Sequence, residues 1–223
     1  MKTKNLKKFD NLPQRQKKSA KTKVALLNAL LKELETKPLS KIMIKDLASL
    51  AEVSEPTFFN YFDSKEHMLV YFIQIWSIQM NAMAKECESK NSSYLKTIKD
   101  IFIKSANEMS LHPQIMLEII SFQTKPTKPK LHDISIGEKW LFFPDIDDVE
   151  MLDDAGLETI LPPLIKKAKE NNELTKDADT KLLFLTLSSL FFGTSLLLLK
   201  SEPKSLSLAY ESQLDLIFCN YYS

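Results

Sequence analysis

The chain has 223 residues, 44% hydrophobic and 26% charged, a balance that excludes a disordered or collagen-like chain and allows one large domain or two small ones. Its three glycines, Gly137, Gly156 and Gly193, all lie in the second half, so it has neither a G-x-G-x-x-G nor a P-loop phosphate cradle, and nucleotide-fold enzymes are disfavoured. The net charge of +1 hides an asymmetry: residues 1–65 carry about +7 and the rest about −6.

The basic end is where a polyanion is expected. Residues 1–17 read as a basic arm, rich in lysine and without the apolar stretch of a secretory signal. Val24, Leu27, Leu30, Leu31 and Leu34 recur at three- and four-residue steps, which predicts an amphipathic helix over 18–35 that stops before Pro38. A short helix over 44–51 follows, and Ser54 is placed to cap another with Pro56 in its first turn. Asp63 or Ser64 caps a long helix that runs from Lys65 to about residue 88 and reads as a connector between two parts.

Further helices are predicted over 95–111, 113–123, 154–171, 177–200 and 204–221, and nothing reads as a hairpin. Between 123 and 154 lies a connection punctuated by prolines, longer than compact domains usually carry without a purpose. Cys87 and Cys219 have no C-x-x-C partner, which supplies no disulfide framework or zinc ligand set and fits a reducing, cytoplasmic compartment.

Only Glu52-Val53-Ser54 separates the second and third short helices, the spacing of a helix-turn-helix, so the third helix is expected in a DNA major groove. The stretches Ile44-Lys45-Asp46-Leu47-Ala48, Ala51-Glu52-Val53-Ser54 and Thr57-Phe58-Phe59-Asn60-Tyr61-Phe62-Asp63-Ser64-Lys65-Glu66 resemble the signature of TetR-family transcriptional regulators. That resemblance covers about 45 residues and implies an all-α fold. The expected division is a basic arm (1–17), a helix-turn-helix domain (18–66) and a helical ligand-binding and dimerisation domain (67–223).

The resemblance implies roles residue by residue. Phe58 and Phe62 anchor the recognition helix, and Thr57, Phe59 and Asn60 face outward. Asn60 is the candidate base reader through a bidentate amide contact with adenine, Thr57 meets phosphate or a thymine methyl, and Phe59 packs on sugar or methyl. Tyr61 and Lys65 are expected at phosphates, Lys65 also at a helix N-terminus, and Lys45 at the backbone. The sequence departs from the family pattern at Met43, where a capping Thr is common, at Glu52 in place of a turn Gly, and at Phe59 in place of a Tyr.

The family's last two long helices pair with those of a second subunit, which implies a homodimer through helices near 177–200 and 204–221, the latter carrying Leu206, Leu208, Tyr210, Leu214, Ile217, Phe218 and Tyr221. The uncharged run 182–199 reaches the lower length limit of a membrane span, but its Thr, Ser and Gly residues and the lack of an aromatic belt favour burial between subunits, with no membrane partner. Two-fold symmetry then predicts a double-stranded DNA operator with inverted half-sites. The resemblance also implies a small-molecule effector, largely apolar, with Met80, Met83, Phe102, Met109, Phe122, Trp140 and Phe184 as candidate lining and the Trp140-Leu141-Phe142-Phe143 cluster as a lid, a plug or a dimer contact.

Two other readings compete with a ligand-released repressor. An architectural DNA binder would dimerise without ligand control. A helical metal-dependent enzyme has little to stand on: His67, His112 and His132 are scattered, and counted from Asp145 the sixth and twelfth positions are Glu150 and Gly156, where an EF-hand needs Gly and Glu. The acidic stretch 145–154 reads as a solvated loop and helix start, and no metal, cofactor or catalytic residue is expected.

Overall fold

Side chains set several helix starts in this chain. Ser54, Ser93, Ser135 and Asp179 each accept a backbone N–H of the first turn they precede, satisfying donors that have no partner inside the helix. A computed structural model describes residues 3–90, 93–125 and 130–219, and among these residues the chain is all-α, with no strand.

The chain folds as two compact units. The first comprises residues 1–79 and 122–154. It contains α1 (Lys4–Asp10), α2 (Gln14–Leu34), α3 (Ile44–Leu50), α4 (Glu55–Phe59), the first part of α5 (Lys65–Ser89) and α8 (Ile136–Phe142). Its core includes Leu26, Leu30, Leu34, Leu47, Phe58, Phe62, Met68 and Tyr71, all buried. The second unit comprises residues 80–121 and 155–223. It holds the rest of α5, α6 (Tyr94–Leu111), most of α7 (Pro113–Gln123), α9 (Leu157–Glu170), α10 (Thr180–Leu198) and α11 (Leu206–Cys219). Ile98, Phe102, Leu161, Leu183, Leu187, Tyr210 and Phe218 are among its buried residues.

This division differs from the expected boundary at 66/67, because α5 belongs to both units and a distant segment returns to the first. The expected arm is folded: Phe9 of α1 is buried, and the Asn5 carboxamide donates to the carbonyl oxygens of Phe143 and Ile146 at 2.9 and 2.7 Å. The expected open connection carries α8, which begins at a capping box in which Ser135 and Glu138 satisfy each other's backbone N–H. A Cβ on Gly137 would lie 2.9 Å from the Leu12 side chain and 3.6 Å from Ala20 Cβ, so the missing side chain lets α8 sit close on α2.

In the second unit Pro162 and Pro163 lie inside α9. An interior proline costs a helix about 3 kcal/mol, and here both rings are exposed while Leu157, Ile160, Leu161, Leu164, Ile165 and Ala168 are buried on the opposite side. α11 ends at Cys219, and Tyr221, expected on the same helix, lies outside the described residues.

Candidate functional site

The turn between α3 and α4 is built by backbone geometry. Glu52 is left-handed at φ 55°. The Val53 N–H bonds to the Ala48 carbonyl at 2.9 Å and the Glu52 N–H to the Ser49 carbonyl at 3.1 Å, the paired pattern of a Schellman helix ending. Glycine takes that conformation freely, whereas a Glu is strained there by about 1 kcal/mol, as the departure at this position predicts. Ser54 then opens α4: its hydroxyl accepts from the Thr57 N–H at 3.3 Å and lies 2.9 Å from the Thr57 hydroxyl.

Phe58 and Phe62 are wholly buried, with ring centroids 6.0 Å apart, and Phe62 meets Tyr71 of α5 edge-on at 5.4 Å. These contacts turn Phe59, 51% exposed, and Asn60 towards solvent. α4 is short: Asn60 is already its C-cap, its N–H bonded to the Pro56 carbonyl at 3.2 Å. Lys45 is exposed and Tyr61 half-buried. Met43 provides no side-chain cap for α3.

Lys65, expected at a phosphate, also has partners within the unit. Its ammonium turns inward and donates to the carbonyl oxygens of Leu39 and Ile42 at 2.7 and 2.6 Å, so two of its three donors tie α5 to the turn before α3. The Ser64 hydroxyl takes the capping role instead, accepting from the His67 N–H at 3.2 Å.

A buried polar network stands behind this surface. The Glu138 carboxylate is almost fully enclosed, accepting from the Tyr71 hydroxyl at 2.7 Å, the Lys23 ammonium at 3.1 Å and the Ser135 hydroxyl at 2.5 Å. Burial, with the Glu138 charge beside it, pushes the Tyr71 phenol above its ordinary value. His67 and His132, read from the sequence as scattered, stack with centroids 3.7 Å apart, while His112 caps α6 in the other unit. Sixty-odd residues of chain separate the two stacked rings, a spacing that carries no local signal.

The acidic stretch is docked rather than simply solvated. Glu150 accepts from Lys8 and from the Trp140 indole, each at 2.7 Å, and Lys4 pairs with Asp147 at 3.2 Å. These donors outweigh its partial burial and hold the Glu150 carboxyl down at about 2.

The candidate lining residues are divided between the two units. Met80, Met83, Phe102, Met109 and Phe184 belong to the second unit, whereas Phe122 and Trp140 belong to the first. Trp140 lies under the Lys8 ammonium, 5.3 Å from its ring centre. Met80 and Phe102 are fully buried, Phe102 meeting Phe191 and Tyr210 edge-on at 5.3 and 5.1 Å, while Met83, Met109 and Phe184 are half-buried.

On α10 one face is exposed: Leu182, Leu185, Ser189, Gly193 and Leu196 follow at three- and four-residue steps, and Leu185 is 60% exposed. A Cβ added to Gly193 would meet nothing within 4 Å. The opposite face packs Leu183, Leu187, Phe191, Thr194 and Ser195 into the unit. By length and composition this helix also reaches the requirement for crossing a membrane. α11 adds exposed Leu208 and Leu216.

Residues 26–72 match the family described as bacterial regulatory proteins, tetR family. Among curated proteins, none matches the chain in sequence. Solved structures with the same fold include FadR of Thermus thermophilus in complex with lauroyl-CoA, at 17% identity and TM-score 0.62 over 87% of this chain and 92% of that one. FadR of Bacillus subtilis in complex with stearoyl-CoA is similar at 13% identity and TM-score 0.65 over 87% and 97%. The reduced form of E. coli NemR is similar at 17% identity and TM-score 0.56 over 90% and 97%. Residues 26–72, with their Schellman turn and serine cap, are thus similar to the tetR family of bacterial regulatory proteins, and the all-helical fold agrees with that likeness.

Proposed function

We propose that the protein is a repressor that binds an inverted-repeat operator as a homodimer and is released by a small, largely apolar effector. The observation that carries the reading is the division of labour over α4 and the turn that follows it: Phe58 and Phe62 are wholly buried while Phe59 and Asn60 are presented to solvent. A short helix held by two aromatic anchors presents fixed side chains to base edges, and the Asn60 amide matches adenine. Thr57, Tyr61 and Lys45 supply further DNA contacts in this reading, and Lys65 has one donor left for a phosphate.

The exposed stripe on α10, with the exposed leucines of α11, supports a second copy as its cover, since contiguous apolar surface marks an interaction face. Two of the similar structures hold acyl-CoA molecules. The apolar side chains of Met83, Met109 and Phe184 suit an acyl chain, and α5, shared by both units, offers a continuous path from effector to operator.

Selection of binders from random duplex DNA at near-physiological salt tests the reading. The expected product is an inverted repeat, relaxed at one position per half-site in Asn60→Ala, bound by a protein that sediments as a dimer, with lauroyl-CoA or stearoyl-CoA weakening the complex. Binding without a motif that vanishes as salt rises would withdraw the specific-repressor reading.

A further inference from the structure

The segment that returns to the first unit after residue 130 meets α5 at the stacked imidazoles of His67 and His132, whose ring planes differ by 20°. Nε2 of His132 lies 3.0 Å from the His67 carbonyl oxygen, and Nε2 of His67 lies 3.1 Å from that of Lys130. A carbonyl only accepts, so in the neutral pair both Nε2 atoms carry the proton and both Nδ1 atoms are bare. Nδ1 of His67 accordingly accepts the Asp63 N–H at 3.3 Å.

Protonating this pair leaves the Nε2–H bonds to the two carbonyls in place but works against the rest of the arrangement. A proton on Nδ1 of His67 would oppose the Asp63 N–H, and a charge on either ring would lie against the face of its neighbour. The His132 ring is also boxed by Phe62 and Tyr71, with centroids 5.1 and 5.2 Å away. That links the pair to Phe62, the rear anchor of the operator-reading helix.

The charged groups around the pair offer little compensation. Lys23 of α2 adds positive charge, and Glu138 of α8 is occupied by Lys23, Tyr71 and Ser135. Glu66 of α5 pairs with Lys125, and Asp154 accepts from Gln74, which also bonds the His132 main chain through its N–H and its carbonyl at 2.8 and 2.9 Å. The Asp63 carboxylate is 3.5 Å from Nδ1 of His67 but is 90% exposed, where solvent screens its attraction.

We infer that the His67–His132 stack is an acid-labile latch: its protonation frees residues 130–142 from the helices that support the recognition helix and lowers operator affinity. The effect on DNA rests on the repressor reading; the latch itself does not. Burial pushes the His132 imidazole down to about 4, below the ordinary 6.5. The latch is therefore fully closed above about pH 6.5 and weakens steadily as pH falls toward 4. General protonation makes a protein more cationic and tightens its hold on DNA, so a loss of affinity in acid runs against the generic trend.

Hydrogen exchange of the full-length protein, corrected for the intrinsic pH dependence, tests the latch without DNA. Between pH 7.5 and 5.5 the amides of 130–142 are expected to exchange about tenfold faster in the wild type, one pH unit below 6.5 corresponding to a tenfold change. His132→Gln keeps a donor for the His67 carbonyl and does not titrate, so its exchange should stay level. Flat protection in the wild type down to pH 5, or equal acid loss in His132→Gln, overturns the latch. Operator binding measured in parallel should weaken several-fold in acid for the wild type and not for His132→Gln. Unchanged affinity with the segment open overturns the coupling to DNA, and no operator binding at pH 7.5 overturns the repressor reading while the exchange result still decides the latch.

Discussion

The two units bury polar groups in different ways. In the first, Asn5, Lys23, Tyr71, Gln74 and Glu138 bond across sequence separations of 58 to 141 residues, several of them with charge. In the second, buried hydroxyls bond largely within their own helices: Thr97 donates to the Ser93 carbonyl at 3.0 Å and Ser105 to the Ile101 carbonyl at 2.7 Å, each four residues back. The Tyr210 hydroxyl reaches only from α11 to α10, donating to the Phe191 carbonyl at 2.5 Å and lying 2.6 Å from the Ser195 hydroxyl. The first unit is thus assembled by long-range, charge-dependent bonds over an apolar base, the second mainly by apolar packing, its long-range charged bonds, from Glu173 to the start of α6 and from Lys99 to Asp215, lying nearer the surface. Acid and mutation of single charges should act mainly on the first.

The largest expected effect comes from Glu138→Ala, which leaves Lys23 and Tyr71 facing one another without their acceptor. Removing one partner of a buried pair typically costs about 3–5 kcal/mol. Both tryptophans, Trp76 and Trp140, lie in the first unit, so urea unfolding followed by tryptophan emission should shift to a much lower midpoint than helix content followed by circular dichroism. Coincident shifts of the two signals would erase the contrast between the units.

A smaller effect is expected from Tyr210→Phe, in which the Phe191 carbonyl loses a donor but Ser195 keeps its contact with Met109 Sδ at 3.5 Å. The cost should be about 1–2 kcal/mol, independent of pH between 5 and 8 because no titrating group is involved. A pH-dependent loss would show that the second unit also relies on charge.

The smallest change has the opposite sign. Glu52→Gly relieves the left-handed strain at φ 55° but adds unfolded-chain entropy, for a net gain of about 0.5–1 kcal/mol. Thermal unfolding should rise by a few degrees. No gain would mean that the Glu52 side chain contributes to the turn in some other way.

Legibility followed the range of the interaction. The helix-turn-helix was readable because its signals lie within a few residues: the Ser54 cap, the short turn at Glu52, and Phe58 with Phe62 one helical turn apart. The outward positions of Phe59 and Asn60 follow from that spacing alone. The capping box of α8 was equally local, Ser135 with Glu138 three residues on, and could have revealed a helix inside the presumed connection. α1 was hidden because a seven-residue helix rich in lysine shows too few apolar positions to establish a period.

Lys65 shows where local reading stops. Its position at the start of a helix suits an anion, yet the carbonyls of Leu39 and Ile42, brought near by the packing of the turn before α3, claim its ammonium first. The same holds for the histidine stack, the Glu138 network and the docking of Trp140 on Glu150 and Lys8. By itself the sequence determined the helical class, most of the helices, and the outward face of the recognition helix, because period and capping act over three or four residues. Only the tertiary structure decided that residues 122–154 return to the first unit and which polar groups hold them there, because those bonds join residues that no sequence pattern relates.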